Sequence, residues 1–296
     1  MVSVPFEYTR VASYDDAVRA LAERGEDAKL LAGGQSLGPM LALRLARPTA
    51  LIDINDIDDG EPAVDGEILR IPALTRHRAV VDSALIHRHT PMLAACTSRV
   101  GNVRVRNRGT IGGSLAHADP TAEIPCASLA LGADVVVRGP NTERTIPARD
   151  FFITYLTTVL EPTEVIQEVR FPVLRARQGW SFHELVRRAS DFAVVATAAV
   201  VELESDATTV RSVELALAGV ADRPMLVDRM AVAGLVGSTC APGEVATAAA
   251  AVAETTSPDS DVHASGAYRK RLVEVLSRRA FTEAAERARQ NGAVTS

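Results

Sequence analysis

"RGTIGGSLAHADP" (residues 108–120) sets two adjacent glycines behind a β-branched pair and follows them with small and acidic residues. "LLAGGQSLGPML" (30–41) repeats the arrangement in another part of the chain. Glycine at such a junction permits positive φ and lets backbone N–H groups approach a ligand with no Cβ in the way. The N–H groups at a helix start carry the positive end of the helix dipole, which suits a phosphate. Ser36 in one turn, and Thr110 and Ser114 in the other, add hydroxyls. Either turn alone is most simply a helix start with no ligand. Two that converge would suit a long ligand with a pyrophosphate at its middle.

Neither turn matches a better-known nucleotide motif. "AGGQSLG" (32–38) lacks the lysine and spacing of a P-loop, and also the GxGxxG of a dinucleotide-binding Rossmann unit. Asp53 lies near the distance of a ribose-binding acid but reads as a strand end. ATP hydrolysis and NAD binding on the usual folds are disfavoured.

The chain has 296 residues, enough for two domains and a sizeable core. Its net charge of −5 and the lack of a clustered basic stripe argue against nucleic-acid binding. Cys96, Cys126 and Cys240 are far apart, with no CxxC pair. That pattern argues against a disulfide scaffold, a zinc site or a self-contained iron–sulfur cluster. "MVSVPFEYTR" (1–10) does not read as a signal peptide, and the apolar stretches 192–203 and 245–253 fall short of the ~20 residues of a membrane span. The expectation is a reduced, cytoplasmic protein.

Periodicity gives the elements. "YDDAVRALAERGE" (14–26) predicts an amphipathic helix with acids in its first turn and Gly25 near its end. "AKLLAGG", "SLGPMLALRLA" and "ALIDIND" (50–56) read as strand, helix and strand, a compact βαβ unit. Helices are expected at 75–86, 91–100 and 121–133, and strands at 134–139 and 164–172. "RVRNR" (104–108) reads as a loop shaping the site or its entrance. Beyond Pro172, "WSFHELVRRA", "FAVVATAAVVELE" and "VRSVELALAGVADRP" predict an antiparallel meander, followed by helices with a long one at 267–289. The fold class is α+β.

"LLAGGQSLGPML", "GNVRVRNRGTIGGSLAHADPTAEIP" and "FPVLRARQGWSFHELVRRASDFAVVATAA" together resemble the FAD-binding medium subunit of the molybdenum hydroxylases. That family includes the medium subunits of carbon monoxide dehydrogenase and nicotine dehydrogenase and the flavin domain of xanthine dehydrogenase. The resemblance covers nearly the whole chain, through "RTIPARDFF", "LEPTEVIQEVRFP" and the terminal "YRKRLVEVLSRRA". It implies a fold of the PCMH or vanillyl-alcohol-oxidase type. An FAD-binding domain would span 1–174 (subdomains about 1–56 and 57–174), a C-terminal domain of antiparallel sheet plus helices 175–290, and a tail 291–296.

The resemblance also implies site residues. Ala32, Gly33, Gly34, Gln35 and Ser36, with Leu37, match the first pyrophosphate-binding turn. Thr110, Ile111, Gly112, Gly113 and Ser114 match the second, and Gly101 opens the segment leading into it. Glu123 stands where the family places an acid near ribityl and ribose hydroxyls, with Asp119 as its neighbour. Ile166 matches an apolar cofactor contact, and Asp191 and Phe192 align near the isoalloxazine ring. Gln35 replaces the His or Asn of several relatives, and Ser114 the Asn of xanthine dehydrogenases. "RRASDFAVV" lacks the aromatic residue that some relatives set beside the ring.

FAD is thus expected in this chain, with molybdopterin and [2Fe–2S] clusters only in a large and a small partner subunit. The final acceptor would be NAD, a quinone, a cytochrome or oxygen. No catalytic acid or base and no metal ligand is assigned, because the flavin carries the chemistry. The alternatives are a stand-alone FAD-dependent oxidoreductase of the same fold and a cofactor-free scaffold. His117 reads as a structural side chain, His87 and His89 diverge on a helix, and Trp180 reads as packing.

Overall fold

Residues 5–293 are described by the structure, a computed structural model. The chain opens with β1 (Glu7–Arg10), α1 (Tyr14–Arg24), β2 (Ala28–Leu31), α2 (Leu37–Ala42) and β3 (Ala50–Asp53). Helix α1 starts at Ser13, whose hydroxyl accepts the Asp16 N–H, and stops at Gly25 with φ 76°. It buries Ala17, Val18, Ala20 and Leu21 against the apolar residues of β3. The sheet is parallel in the order β1-β3-β2, so the expected βαβ unit is present. Strand β1 adds an edge that the sequence reading did not foresee, because "EYTR" is polar and mostly exposed.

Next come β4 (Ala63–Asp65), β5 (Ile68–Pro72), α3 (His77–Asp82), α4 (Ala84–His89), α5 (Pro91–Thr97), α6 (Val103–Arg108), α7 (Ile111–His117) and α8 (Glu123–Ala130). They lead into β6 (Asp134–Arg138), β7 (Glu143–Pro147), β8 (Phe152–Thr154), β9 (Thr157–Thr158) and β10 (Val165–Pro172). The sheet order β4-β5-β10-β6-β7 inserts the last strand between β5 and β6. Two expectations are corrected here. The helix expected at 75–86 is broken at Ser83, which turns to ψ 113° and caps α4 by accepting the Ile86 N–H. The expected loop 104–108 is helix α6, because the Asn102 side chain accepts from the N–H groups of Arg104 and Val105.

The chain closes with β11 (Gln178–Val186), β12 (Ala193–Leu203), β13 (Val210–Ala218), β14 (Met225–Leu226), α9 (Arg229–Val232), α10 (Pro242–Glu254) and α11 (Gly266–Ala293). The strands form the expected antiparallel meander, in the order β11-β12-β13-β14. Strand β12 shows no polar alternation because both of its faces are covered. Ala196 and Ala198 pack toward α8, while Val195, Val201 and Leu203 pack toward the side of α10 and α11. Every residue of α8 is buried, which explains a helix with apolar residues all round. Helix α11 runs past the expected 289 to Ala293; residues 294–296 of the expected tail, like 1–4, lie outside the described residues. It is anchored by Arg287, which stacks 3.9 Å over the half-buried Trp180 ring and donates to the Trp180 carbonyl. No helix among the described residues is long and apolar enough to cross a membrane.

Candidate cofactor site

The first glycine turn joins β2 to α2. Asn55, just beyond β3, donates through Nδ2 to the carbonyls of Leu31 (3.2 Å) and Ala32 (2.9 Å), fixing the end of the strand. Gln35 folds back to donate to the Gly33 carbonyl at 3.1 Å. Gly34 adopts φ 68°, in the left-handed region that favours glycine. The carbonyls are thus engaged, but the N–H groups of Gly33, Gly34, Gln35, Ser36 and Leu37 meet no acceptor among the described residues. Ser36 does not cap α2 with its hydroxyl either. Five consecutive backbone donors left open among the described residues are the kind of group that binds an anion.

The second turn is built differently. Ile111 N–H donates to the Thr75 carbonyl and Gly112 N–H to the Ala73 carbonyl, at 3.1 and 2.8 Å. Gly113 N–H donates to Thr110 Oγ1, and Ser114 N–H to the Thr110 carbonyl. Ser114 Oγ lies 3.0 Å from Nε2 of buried His77, which also meets the Thr110 carbonyl at 2.9 Å. Burial lowers the His77 pKa to about 4, so the ring is neutral at ordinary pH. The expectation that both turns present free amides is therefore met by the first alone. The second turn's donors are spent on the segment that follows β5 and on its own cap.

What the second turn supplies is shape. Gly33 packs against the backbone of Arg108 and Gly109, the residues that lead into α7, so the two turns are in contact. Gly112 packs on Ala73, where a Cβ would stand 2.7 Å from the alanine methyl. Arg76 ties the pieces together: Nη1 donates to the Arg108 carbonyl at 2.5 Å and Nη2 to Asn55 Oδ1 at 2.6 Å.

Helix α7 runs from this junction toward a second feature. Its seven residues span about 10 Å. At its far end Ala118 turns left-handed (φ 52°) and Asp119 follows, accepting from Thr121 N–H and Oγ1 at 2.8 and 2.6 Å. Asp119 lines a cavity of about 380 Å³ together with Asp191, Phe192, Tyr155 and Arg269. Phe192 is 67% exposed there, and Asp191 pairs with Arg187 at 3.2 Å. Tyr155 occupies the tip of the β8–β9 hairpin and was not singled out from the sequence. The hairpin is held by Arg223, which donates to the Ile153 carbonyl at 2.8 Å, and by Thr154, which donates to Asp222 at 2.8 Å. An aromatic residue at a two-residue hairpin tip, "FFITYLTT", was the available signal.

The remaining expected residues are placed apart. Glu123 begins α8 and is 7% exposed. It makes no ion pair among the described residues, and burial, reinforced by Glu184 and Asp119, pushes its pKa up to about 7. Ile166 sits on β10 inside the core rather than at either turn. Gly101 turns the chain before α6 with φ 47°, and its carbonyl accepts from Arg106 at 2.9 Å. A larger cavity of about 690 Å³, bordered by His89, Arg149, Trp180 and Arg211, contains none of the expected residues. The three cysteines are free, and no group of three His, Cys, Asp or Glu among the described residues could hold a metal.

Comparison with known proteins identifies the family of the chain. Residues 4–174 match the model of the FAD-binding domain in molybdopterin dehydrogenase, and residues 180–284 that of the CO dehydrogenase flavoprotein C-terminal domain. The 6-hydroxypseudooxynicotine dehydrogenase complex subunit alpha of Paenarthrobacter nicotinovorans is 36% identical over 96% of this chain and 96% of its own. Among solved structures, carbon monoxide dehydrogenase from Hydrogenophaga pseudoflava superposes with a TM-score of 0.93 at 36% identity, covering 97% of this chain and 99% of that one. Quinoline 2-oxidoreductase from Pseudomonas putida 86 gives a TM-score of 0.91 at 34% identity, covering 97% and 99%.

Proposed function

The chain belongs to the FAD-binding medium subunits of the molybdenum hydroxylases, and from that premise we propose that it carries electrons from the iron–sulfur clusters of a partner subunit, through FAD, to an external acceptor. It is an oxidoreductase subunit, and FAD is its own cofactor. Molybdopterin and the [2Fe–2S] clusters belong to a large and a small partner. The support for this division is chemical as well as familial: three scattered free cysteines cannot ligate two clusters.

The residues present fit FAD. The observation that carries the reading is the run of five N–H groups, Gly33 to Leu37, without acceptors among the described residues and lying against the second turn. These amides would hold the diphosphate, and the Gly112–Ala73 contact would keep α7 seated behind it. The cavity at the far end of α7 would take the ring system, flanked by Asp191, Phe192 and Tyr155. Asp119 and Glu123 would face the hydroxyl-bearing chain between, and Ile166 would support the site from the core. When bound, FAD supplies the redox chemistry. The protein binds, orients and shields it, and no side chain needs to act as acid or base. The chain divides, in this reading, into an FAD-binding part to about residue 174 and a C-terminal part that closes over the flavin.

The test is a visible spectrum of the purified chain, with mass analysis of the cofactor released by heat. Flavin bands from FAD, not FMN, support the reading. A colourless chain that also refuses added FAD favours a cofactor-free scaffold.

A further inference from the structure

The sequence reading passed over Arg76, and the structure gives it an unusual place. It is half-buried at the junction of the two glycine turns, and its guanidinium spends two N–H groups on protein acceptors: the Arg108 carbonyl (2.5 Å) and Asn55 Oδ1 (2.6 Å). Asn55 in turn grips the Leu31 and Ala32 carbonyls that lead into the first turn. The Arg108 oxygen that Arg76 holds is also the atom against which Gly33 packs. One oxygen thus stands between the guanidinium and the glycine turn. A guanidinium has five N–H donors, so three are left over.

The charge at this junction is not neutralised by the protein. Neither Arg76 nor Arg108 forms an ion pair with a carboxylate among the described residues. Asp53 acts on Arg76 at longer range but is already engaged by Arg10 at 3.1 Å and by the Tyr8 hydroxyl. Burial, and then repulsion from Arg108, lower the pKa of Arg76, the signature of a cation held in place without a counter-charge. Two unpaired arginines beside five unpartnered amides leave a local surplus of positive charge in a chain of net charge −5.

We propose that Arg76 is a cofactor-binding residue: it locks the two glycine turns together through Arg108 and Asn55, and it supplies the positive charge that faces the FAD diphosphate. The proposal rests on the FAD reading above. It assigns two separable roles, bridging and charge, to one side chain. Lysine retains the charge but not the planar fork, whereas glutamine retains neither the charge nor the reach.

The experiment is reconstitution of the FAD-free full chain with FAD at a series of salt concentrations, for the wild type, Arg76→Lys and Arg76→Gln. The wild type should bind with an affinity that falls as salt rises, as a charge-assisted contact requires. Arg76→Gln should bind about 10- to 100-fold more weakly, the range for losing a hydrogen-bonded charge, with a flatter salt dependence. Arg76→Lys should lose part of the affinity yet keep the salt dependence. Wild-type affinity and slope in Arg76→Gln would overturn the assignment. So would an equal loss in both variants with the salt dependence unchanged, because that is what a purely structural strut gives. If Arg76→Gln does not fold, the Arg76→Lys slope decides: retained supports the charge role, lost overturns it. A wild-type chain that takes up no FAD overturns the cofactor reading itself, and this assignment with it.

Discussion

Gly33 lies so close to the Arg108 peptide that a β-carbon on it would stand 2.7 Å from the Arg108 carbonyl carbon and 2.9 Å from the Gly109 α-carbon. Backbone cannot yield there without separating the two turns. Gly33→Ala should therefore strip FAD from a chain that still folds, since the clash is confined to one junction. Gly38→Ala is the control: a Cβ there meets nothing within 4 Å, and its backbone is not left-handed. Flavin-to-protein ratio after gel filtration separates them. A fully flavinated Gly33→Ala chain would show that the turns need not touch.

Gly112 answers to a different neighbour. A methyl there would lie 2.7 Å from the Ala73 Cβ and 3.0 Å from its carbonyl oxygen, which is the acceptor for the Gly112 N–H. Gly112→Val should destabilise the whole chain by about 1–3 kcal/mol, as overpacking does, besides lowering FAD retention. Urea unfolding of the FAD-free chain checks this. Unchanged stability with FAD lost would mean that Gly112 faces the cofactor directly, contrary to the packing.

These two glycines show what could be read in advance. The Gly-Gly pairs, the βαβ unit and the meander were legible because local periodicity and glycine punctuation are local signals. The partners of each amide were not. Nothing in "TIGGS" says that Gly112 N–H is taken by Ala73, because that pairing depends on β5 arriving from another part of the chain. The same holds for β10, which enters the sheet between two earlier strands. Helix α6 was missed for a lesser reason: Asn102 is an N-cap signal, but three arginines in "RVRNR" (104–108) drew attention to charge instead. Arg76 and Tyr155 belong to neither glycine motif, and only the fold brings them to the site.

Two buried groups give the stability of the FAD-free chain a defined pH response. Glu123 has its pKa raised by burial from 4.5 to about 7. The fold favours its protonated form, so its contribution is fully present below pH 4.5 and is lost as pH rises through 7. Over that window the loss is about 3 kcal/mol. His77 is lowered from 6.5 to about 4, again by burial, and acts oppositely: its contribution is present above 6.5 and lost as pH falls through 4. Between about 4.5 and 6.5 the two slopes cancel. Glu123→Gln removes one of them, so the stability of the variant should rise relative to that of the wild type from pH 4.5 to 6.5. Denaturant midpoints across that range measure it. Parallel curves for the two proteins would mean that Glu123 is ionised in the folded chain.

Tyr155 offers the most direct check on where the flavin ring sits. Its hairpin is pinned by Arg223 and Asp222, so the residue is presented by a fixed backbone to the cavity that the exposed Phe192 also lines. An aromatic ring stacked on isoalloxazine quenches its emission, and a phenol, being easier to oxidise than a phenyl group, does so more strongly. Tyr155→Ala should therefore retain FAD, whose diphosphate is held elsewhere, yet fluoresce several-fold more brightly per bound flavin. Tyr155→Phe should fall between the two. Because the proposed diphosphate contacts lie at the other end of α7, FAD affinity should change far less than emission does. If emission per bound flavin is the same in all three chains, Tyr155 does not face the ring, and the flavin lies outside this cavity or against its opposite wall.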